Sequence, residues 1–271
     1  MTSRRAPEIK QRLRDGGIVY SAWLTFSSPA VAEVIAGYGF DVLMVDMEHT
    51  SISLETLETV IAAVGRWDPV TIVRVPGHDP SFIKRCLDIG IDGIMVPQVM
   101  DAAEARALVA ATKYRPVGIR GFGPRRTSDY FRNADYFTQA NHRTFVMLQI
   151  EHHEAAARAH EIAAVPGIDV LCLGPADLAV SCGHLADPDH PMVTSAIDKV
   201  FAAARANNLP VCMGRYEKAE DQPALVARGA RFVIASDDLV VLRQGLSSHL
   251  AEARRILEGA AAASQKIDKA Y

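Results

Sequence analysis

The sequence contains few cysteines and no apolar run long enough to cross a membrane. Four cysteines occur among 271 residues, and no two of them form a CxxC pair. Isolated cysteines are typical of a reducing compartment, so we expect a cytoplasmic protein without disulfides, with Cys86, Cys172 and Cys212 packed in its core. No stretch approaches the roughly 20 apolar residues of a membrane helix. The charged residues 1–17 also lack the apolar core of a secretory signal, so we expect no membrane partner.

The chain also lacks an excess of positive charge. It has 29 Lys and Arg against 32 Asp and Glu, which gives a net charge of -3. Without a basic stripe, we expect no nucleic-acid partner. What is present is an ordinary globular composition, with 49% hydrophobic and 23% charged residues. A chain of this length can bury a large core, and its size suits one α/β barrel or two small domains.

Short apolar runs alternate with helical patterns along the whole chain. One of them, DVLMVDME, has almost no polar alternation, which is typical of a strand buried on both faces of a parallel sheet. A longer irregular segment covers residues 115–143. Eight strands with helices between them predict an α/β protein with a single (β/α)8 TIM-barrel domain over residues 1–271. The predicted strands are 17–26, 41–48, 69–77, 93–99, 144–151, 169–175, 210–214 and 231–236.

Local signals support this pattern. Ser53 and Asp79 stand where helix N-caps are expected, and Asp79 precedes a proline. A long final helix is predicted from about residue 239 to 258. The alternative architecture is a doubly wound open sheet. That fold favours a glycine-rich first turn, whereas TFSSPA after the first predicted strand is not GxGxxG.

Several predicted strands end in charged or polar side chains. The carboxyl ends of barrel strands meet at one face, where the active sites of such barrels form. Taken singly, each side chain also has a structural explanation, such as a helix cap, a loop histidine or a brace inside the barrel. Together they predict a site, because buried charge is costly unless it is paired or bound to a metal. The side chains are Asp46, Glu48, His49, Arg74, Gln149, Glu151 and Asp177.

The chemistry of this set is coherent. The carboxylates Glu151 and Asp177 follow neighbouring strands and suit a hard divalent ion. Arg74 suits a carboxylate or a developing enolate oxygen, and His49 suits proton transfer near neutral pH. Backbone N–H groups at a helix start after GPAD suit a substrate carboxylate. These parts predict enolate chemistry next to a carboxylate.

Five stretches between residues 17 and 185 carry a family resemblance. In order they are AWLTFSSPAVAEVIAGYGFDVLMVDMEH, VRVPGHDPSFIKRCLDIGIDGIMVPQV, ATKYRPVGIRGFGP, QIEHHEA and VPGIDVLCLGPADL. They resemble the HpcH/HpaI aldolase family, the class II pyruvate aldolases. The resemblance implies a metal-dependent aldolase that cleaves or forms 4-hydroxy-2-oxo acids through a pyruvate enolate. The small-molecule partners would be a 2-oxo acid and an aldehyde.

The resemblance also implies roles for single residues. Glu151 and Asp177 would be the protein ligands of Mg²⁺, Mn²⁺ or Co²⁺. Arg74 would contact the keto oxygen and stabilise the enolate. His49 would be the acid/base, oriented by Asp88.

Further residues would support this centre. The backbone amides of Ala176 and Asp177 would hold the pyruvate carboxylate, and Gln149 and Asp46 would support the groups in contact with substrate. Glu48 lies beside the centre in the motif but receives no sharper role. The predicted strand ends carry no lysine for a Schiff base.

Three questions stay open at this stage. Arg125 and Arg126 suit either a distal carboxylate of the acceptor or a loop at a subunit interface. Related enzymes, similar to siderophore citrate synthases or macrophomate synthase, offer an alternative with the same metal–enolate core, with or without decarboxylation of oxaloacetate. A barrel that binds a 2-oxo acid without turnover is a third reading. The family further implies homo-hexamers in which the last helix is exchanged between subunits.

Overall fold

Eight parallel strands close into a barrel in the computed structural model, which describes residues 5–185, 187–213 and 219–268. Each strand pairs with the next along the chain, and β1 pairs with β8. The closure confirms the (β/α)8 barrel and excludes the open sheet, which would leave two edge strands. The strands are β1 Val19–Leu24, β2 Val42–Asp46, β3 Val70–Arg74, β4 Gly93–Val96, β5 Phe145–Ile150, β6 Val170–Leu173, β7 Val211–Cys212 and β8 Ala230–Asp237.

Helices surround the barrel, and their starts follow the expected chemistry. The Ser53 side chain accepts a hydrogen bond from the backbone N–H of Thr56, and Asp79 accepts one from Ser81, so both predicted caps are confirmed. The helices are α1 Ala6–Arg14, α2 Pro29–Gly37, α3 Leu54–Val64, α4 Pro80–Ile89, α5 Ala102–Thr112, α6 Tyr136–Arg143, α7 His153–Ala157, α8 Ala159–Ala163, α9 Pro175–Ser181, α10 Pro191–Ala206, α11 Gln222–Arg228 and α12 Asp238–Asp268.

Three local details differ from the sequence prediction. The segment 115–143 is not irregular throughout, because its last eight residues form α6. The stretch HHEAAARAHEIAAV after β5, which its sequence predicts as one helix, forms two short helices, α7 and α8, separated at Arg158. The predicted seventh strand is shorter, and its last residue, Gly214, lies outside the described residues.

Helix α1, which precedes the first strand, belongs to the barrel core. Its buried side chains Ile9 and Leu13 join one apolar cluster with residues at the amino ends of the strands, such as Val19, Val42 and Phe145. Cys172 and Cys212 lie in the same cluster and Cys86 in the outer one, so the predicted packing role of these cysteines is confirmed. The amino ends of the strands are thus filled by packing, which leaves polar chemistry to the carboxyl ends.

After its first residues, helix α12 has almost no packing against the barrel of its own chain. Its side chains from Val241 to Glu258 are almost all exposed, including Leu242, Leu246 and Leu250. Contiguous apolar exposure on one helix is unusual for a monomer. Among the described residues, no helix has both the length and the apolarity of a membrane span.

Two buried lysines lie at the amino end of β5. The ammonium groups of Lys10 and Lys113 both donate hydrogen bonds to the carbonyl oxygen of Thr144, at 2.7 and 3.0 Å. Lys10 also pairs with Asp169 at 2.9 Å. Burial, followed by the nearby positive charge of Lys10, lowers the pKa of Lys113 to about 8. Among the described residues one carboxylate, Asp169, offsets the two ammonium groups, so Lys113 loses its proton at a lower pH than a lysine in water does.

This lowered pKa predicts how stability depends on pH. Unfolding restores the ordinary pKa of about 10.5, so between pH 8 and 10.5 the unfolded chain binds more protons at Lys113. The Lys113 contribution to the free energy of unfolding therefore rises with pH across this window, by on the order of 3 kcal/mol.

Urea titrations of the wild type and Lys113→Met at pH 7.5, 9 and 10.5 test this prediction. We expect the stability difference to shift in favour of the wild type as pH rises. Lys199→Met, at an exposed position of α10, is the control and should run parallel to the wild type. Parallel curves for Lys113→Met as well would contradict the prediction.

Candidate active site

Arg74 is fixed at the carboxyl end of the barrel by side chains of β1 and β2. Asp46 ends β2 and is the register partner of Arg74 on β3. The guanidinium donates two hydrogen bonds to this carboxylate, Nε to Oδ1 at 2.9 Å and Nη2 to Oδ2 at 2.8 Å. It also stacks over the ring of Trp23 on β1, with 4.6 Å between Cζ and the ring centroid. The bidentate pair and the stacking hold the guanidinium in one orientation.

Asp46 also shapes the turn that carries Glu48 and His49. Its Oδ1 accepts hydrogen bonds from the backbone N–H groups of both residues, at 3.1 and 3.4 Å, and the hydroxyl of Thr50 donates to its carbonyl oxygen. Local bonding of an Asp side chain to the following amides is a common turn device. One carboxylate therefore positions both Arg74 and the turn after β2.

Glu48 lies between Arg74 and His49. Its Oε2 is 3.2 Å from Nε of Arg74 and 3.5 Å from Nε2 of His49. The Glu48 side chain is 11% exposed and that of His49 is 62% exposed. Burial raises the pKa of Glu48, and the charges of Arg74 and His49 partly offset this rise. His49 is therefore open to substrate or solvent, whereas Glu48 is buried behind it.

Glu151 follows β5 and is almost completely buried. Its Oε1 accepts a 2.8 Å hydrogen bond from the backbone N–H of Gln98, and the side-chain amide of Gln149 donates to its Oε2. Burial, and next the charge of Asp177, raise the pKa of Glu151 to about 7. The amide oxygen of Gln149, Oε1, is buried and has no hydrogen-bond partner among the described residues. The Glu151 carboxylate is thus held in place by two N–H donors.

Asp177 and Ala176 lie in the first turn of α9, and both are exposed at the mouth of the barrel. The turn from β6 into this helix passes close to the neighbouring strand. A Cβ atom on Gly174 would lie only 2.6 Å from Oε2 of Glu151 and 2.9 Å from Nε2 of Gln149. A glycine is therefore required at this position, because the backbone itself forms one wall of the site.

The residues at this end carry more negative than positive charge. Asp46, Glu48, Glu151 and Asp177 face one another around Arg74, and Asp177 raises the pKa of both glutamates through its charge. A divalent cation held by two of these hard oxygen donors would remove this repulsion, so the residues fit such an ion.

Few protein side chains would coordinate such an ion. In the ranges that the structure describes, no three His, Cys, Asp or Glu side chains are arranged around a common metal position. Glu151 and Asp177, the pair expected from the sequence, would hold such an ion with few protein ligands, and water and substrate would complete its coordination.

Asp88 is not brought to this site within one chain. It lies in the last turn of α4, which runs back from the carboxyl end of β3 toward the amino end of β4. There it pairs with Arg120 at 2.6 Å, and burial raises its pKa against the effect of that arginine. The expected contact between Asp88 and His49 is therefore absent from a single chain, because the two residues occupy opposite ends of a strand–helix unit.

Asp88 lines a cavity of about 530 Å³ on the outer wall of the barrel. Arg125 and Arg126 line the same cavity, together with Arg85 and Tyr130. Both interpretations of the two arginines, carboxylate binding and subunit contact, thus concern this outer wall rather than the barrel mouth of the same chain.

Two supporting residues were not found from the sequence. Trp23 lies in an apolar strand, and nothing in its sequence context indicates that it stacks on Arg74. Gln98 donates its amide to Glu151 from a left-handed backbone conformation, with φ of 54°. Such a conformation is uncommon outside glycine, and no residue pattern announces it here.

Comparison with known proteins shows which family the chain is similar to. The model of the HpcH/HpaI aldolase/citrate lyase family matches residues 20–244. A 2-dehydro-3,6-dideoxy-6-sulfogluconate aldolase from Pseudomonas putida is 43% identical over 190 residues, which cover 70% of this chain and 74% of that protein. A 4-hydroxy-2-oxo-heptane-1,7-dioate aldolase from Salmonella dublin is 37% identical over 257 residues, covering 93% of this chain and 97% of that protein.

Solved structures of similar proteins share the fold over nearly the whole chain. A family member from Burkholderia cenocepacia has a TM-score of 0.87 at 33% identity, covering 92% of this chain and 99% of that one. The citrate synthase SbnG has a TM-score of 0.82 at 31% identity, covering 91% and 97%. Macrophomate synthase has a TM-score of 0.82 at 26% identity, covering 91% and 89%.

These matches confirm the resemblance seen in the five sequence stretches. The curated relatives are named as aldolases, enzymes that break or form carbon–carbon bonds. The family match spans well over half of the chain. The chain is therefore an enzyme of the lyase class and belongs to the HpcH/HpaI aldolase/citrate lyase family.

Proposed function

We propose that the protein is a metal-dependent class II aldolase that cleaves or forms 4-hydroxy-2-oxo acids through a pyruvate enolate. The observation that carries this proposal is the excess of carboxylates around one fixed guanidinium at the carboxyl end of the barrel. Such a site favours a divalent cation beside Arg74. A cation and a guanidinium together suit a 2-oxo acid, whose carboxylate and keto oxygens develop negative charge in the enolate.

Each residue then has a defined task. Glu151 and Asp177 would hold Mg²⁺, Mn²⁺ or Co²⁺, which when bound supplies Lewis-acid stabilisation of the enolate. Within the described residues, the contacts of Arg74 occupy Nε and Nη2, so Nη1 remains for the keto oxygen. The amides of Ala176 and Asp177 would bind the carboxylate, and Gln149 would orient Glu151.

Proton transfer falls to His49. It would accept the proton of the 4-hydroxyl group as the bond between C3 and C4 breaks, and the bonding electrons pass into the enolate of pyruvate. The aldehyde leaves, and the enolate takes up a proton at C3. The reverse sequence is the aldol addition. His49 suits this task because it is exposed at the mouth and lies beside the carboxylate of Glu48.

Removing either proposed ligand should abolish most of the metal affinity. We expect Glu151→Gln and Asp177→Asn each to weaken Mn²⁺ binding by more than the roughly 10–100-fold that outer groups cost. Isothermal titration of the purified protein measures this directly. Glu154→Gln, an exposed acid in α7, should bind like the wild type. Stoichiometric Mn²⁺ retained by the variant that combines Glu151→Gln and Asp177→Asn would refute the metal site.

The wild type should release pyruvate from a 4-hydroxy-2-oxo acid. If it releases none from any such acid, the proposed aldolase activity is refuted.

A second candidate keeps the same centre but uses a different acceptor. The similarity to a citrate synthase and to macrophomate synthase favours an enzyme that forms a carbon–carbon bond, including decarboxylation of oxaloacetate. Both candidates require Arg74 and the proposed cation. Rates with oxaloacetate and with a panel of 4-hydroxy-2-oxo acids separate them, because the main substrate should have the higher kcat/KM.

We further propose that the protein is a cytoplasmic homo-oligomer, and a hexamer as the family resemblance implies. In this assembly each active site would combine residues of two subunits. The exposed leucines of α12 support an interface, since they remain uncovered on a single chain. The distance of Asp88 from the barrel mouth supports shared sites, because a His49–Asp88 contact would then require a second copy. The chain would contribute to this assembly as one barrel domain over residues 1–271.

Mixed oligomers test the shared site. His49→Ala and Asp88→Asn should each be almost inactive alone. Co-expressed with different tags and purified through both, they should recover part of the wild-type activity, because some sites then combine an intact His49 with an intact Asp88. Sedimentation supplies the mass of each assembly. No recovery in a verified mixed oligomer, or a monomeric wild type, would contradict shared sites.

A further inference from the structure

The Glu48 carboxylate, whose side chain is only 11% exposed, still has no assigned task. We propose that Glu48 is a positioning residue that holds the Arg74 guanidinium and the His49 imidazole in place relative to each other. Its negative charge also lowers the affinity of Arg74 for the 2-oxo acid anion, which favours turnover over tight binding of the substrate. The inference rests on the proposed function, since it concerns the same guanidinium and imidazole.

The contacts of Glu48 differ from those of Asp46. Asp46 meets Arg74 through two aligned hydrogen bonds. Oε2 of Glu48 approaches the same Nε at 3.2 Å, although that N–H already donates to Asp46. It is buried and accepts no hydrogen bond from any described residue. The Glu48 carboxylate therefore acts on Arg74 through its charge rather than through a directed hydrogen bond.

This arrangement places two carboxylates against one guanidinium. Asp46 alone balances the charge of Arg74, so Glu48 makes the pair negative overall. Asp177 adds to the negative potential at Glu48. A 2-oxo acid carries its own negative charge, and like charge close to a binding site lowers the affinity for an anion. Glu48 thus opposes ground-state binding of the substrate at Arg74.

The same oxygen also faces His49. It lies 3.5 Å from Nε2 of the imidazole, and a protonated His49 would find its counter-charge there. Glu48 is held from behind by Arg74, so it offers His49 a fixed carboxylate within its own chain. Loss of this charge would remove the carboxylate that the described part of the same chain places beside the imidazole and would weaken proton transfer.

Glu48→Gln separates the two effects. We expect the variant to bind oxalate, a planar dianion that imitates the pyruvate enolate, about tenfold more tightly because one like charge is removed. We also expect kcat for cleavage of a 4-hydroxy-2-oxo acid to fall by about 10–100-fold because His49 loses the nearby negative charge of Glu48. A residue that only supports the fold would weaken both properties together.

The measurements are isothermal titration with oxalate in the presence of Mg²⁺ and steady-state kinetics. Glu48→Asp keeps the charge but shortens the reach, so oxalate affinity should stay near the wild type while kcat falls. Glu161→Gln, an exposed acid in α8, is the matched control and should change neither value. Thermal unfolding verifies that each variant is folded, and Glu48→Ala replaces Glu48→Gln if the latter does not fold.

These measurements distinguish a failure of the Glu48 proposal from a failure of the proposed function. Tighter oxalate binding with a lower kcat in the charge-removing variant supports the role of Glu48. Unchanged or weaker oxalate binding in a folded variant overturns it. If the wild type cleaves no 4-hydroxy-2-oxo acid, the proposed function fails, whereas the oxalate titration still decides whether Glu48 opposes anion binding at Arg74.

Discussion

The pair of hydrogen bonds between Asp46 and Arg74 is the contact on which the rest of the site depends. It joins the ends of β2 and β3, and the same carboxylate holds the turn that carries Glu48 and His49. Breaking a buried ion pair by removing one partner typically costs about 3–5 kcal/mol. Loss of Asp46 would therefore disturb the anion-binding group, the proposed base and the local fold together.

Most of the fold follows from local sequence signals. Strands buried on both faces give continuous apolar runs, and side-chain caps such as Ser53 and Asp79 give reliable helix starts. The charged residues that end the strands were also predictable, because the barrel brings these ends to one face. The sequence thus predicted which residues meet at the mouth, namely Arg74, His49 and Glu151 with their neighbours.

The remaining parts depend on tertiary arrangement and leave little trace in the sequence. The stacking of Trp23 on Arg74 joins β1 to β3 across β2, and the left-handed backbone of Gln98 serves a contact with the residue after β5, so both depend on the closed barrel. For Asp88 the sequence signal is present, but the structure places the residue elsewhere. Its motif predicts a place in the site, but its position at the end of α4 takes it away from His49 within one chain.

One strand connects the two ends of the barrel. Thr144, whose carbonyl receives both buried ammonium groups, precedes β5 directly, and Glu151 follows it directly. The strand between them is only about 20 Å long and is paired on both sides. The buried ammonium groups and the proposed metal ligand are therefore attached to opposite ends of one short, doubly paired strand, so the packing at the amino end of β5 and the position of the Glu151 carboxylate belong to the same rigid element.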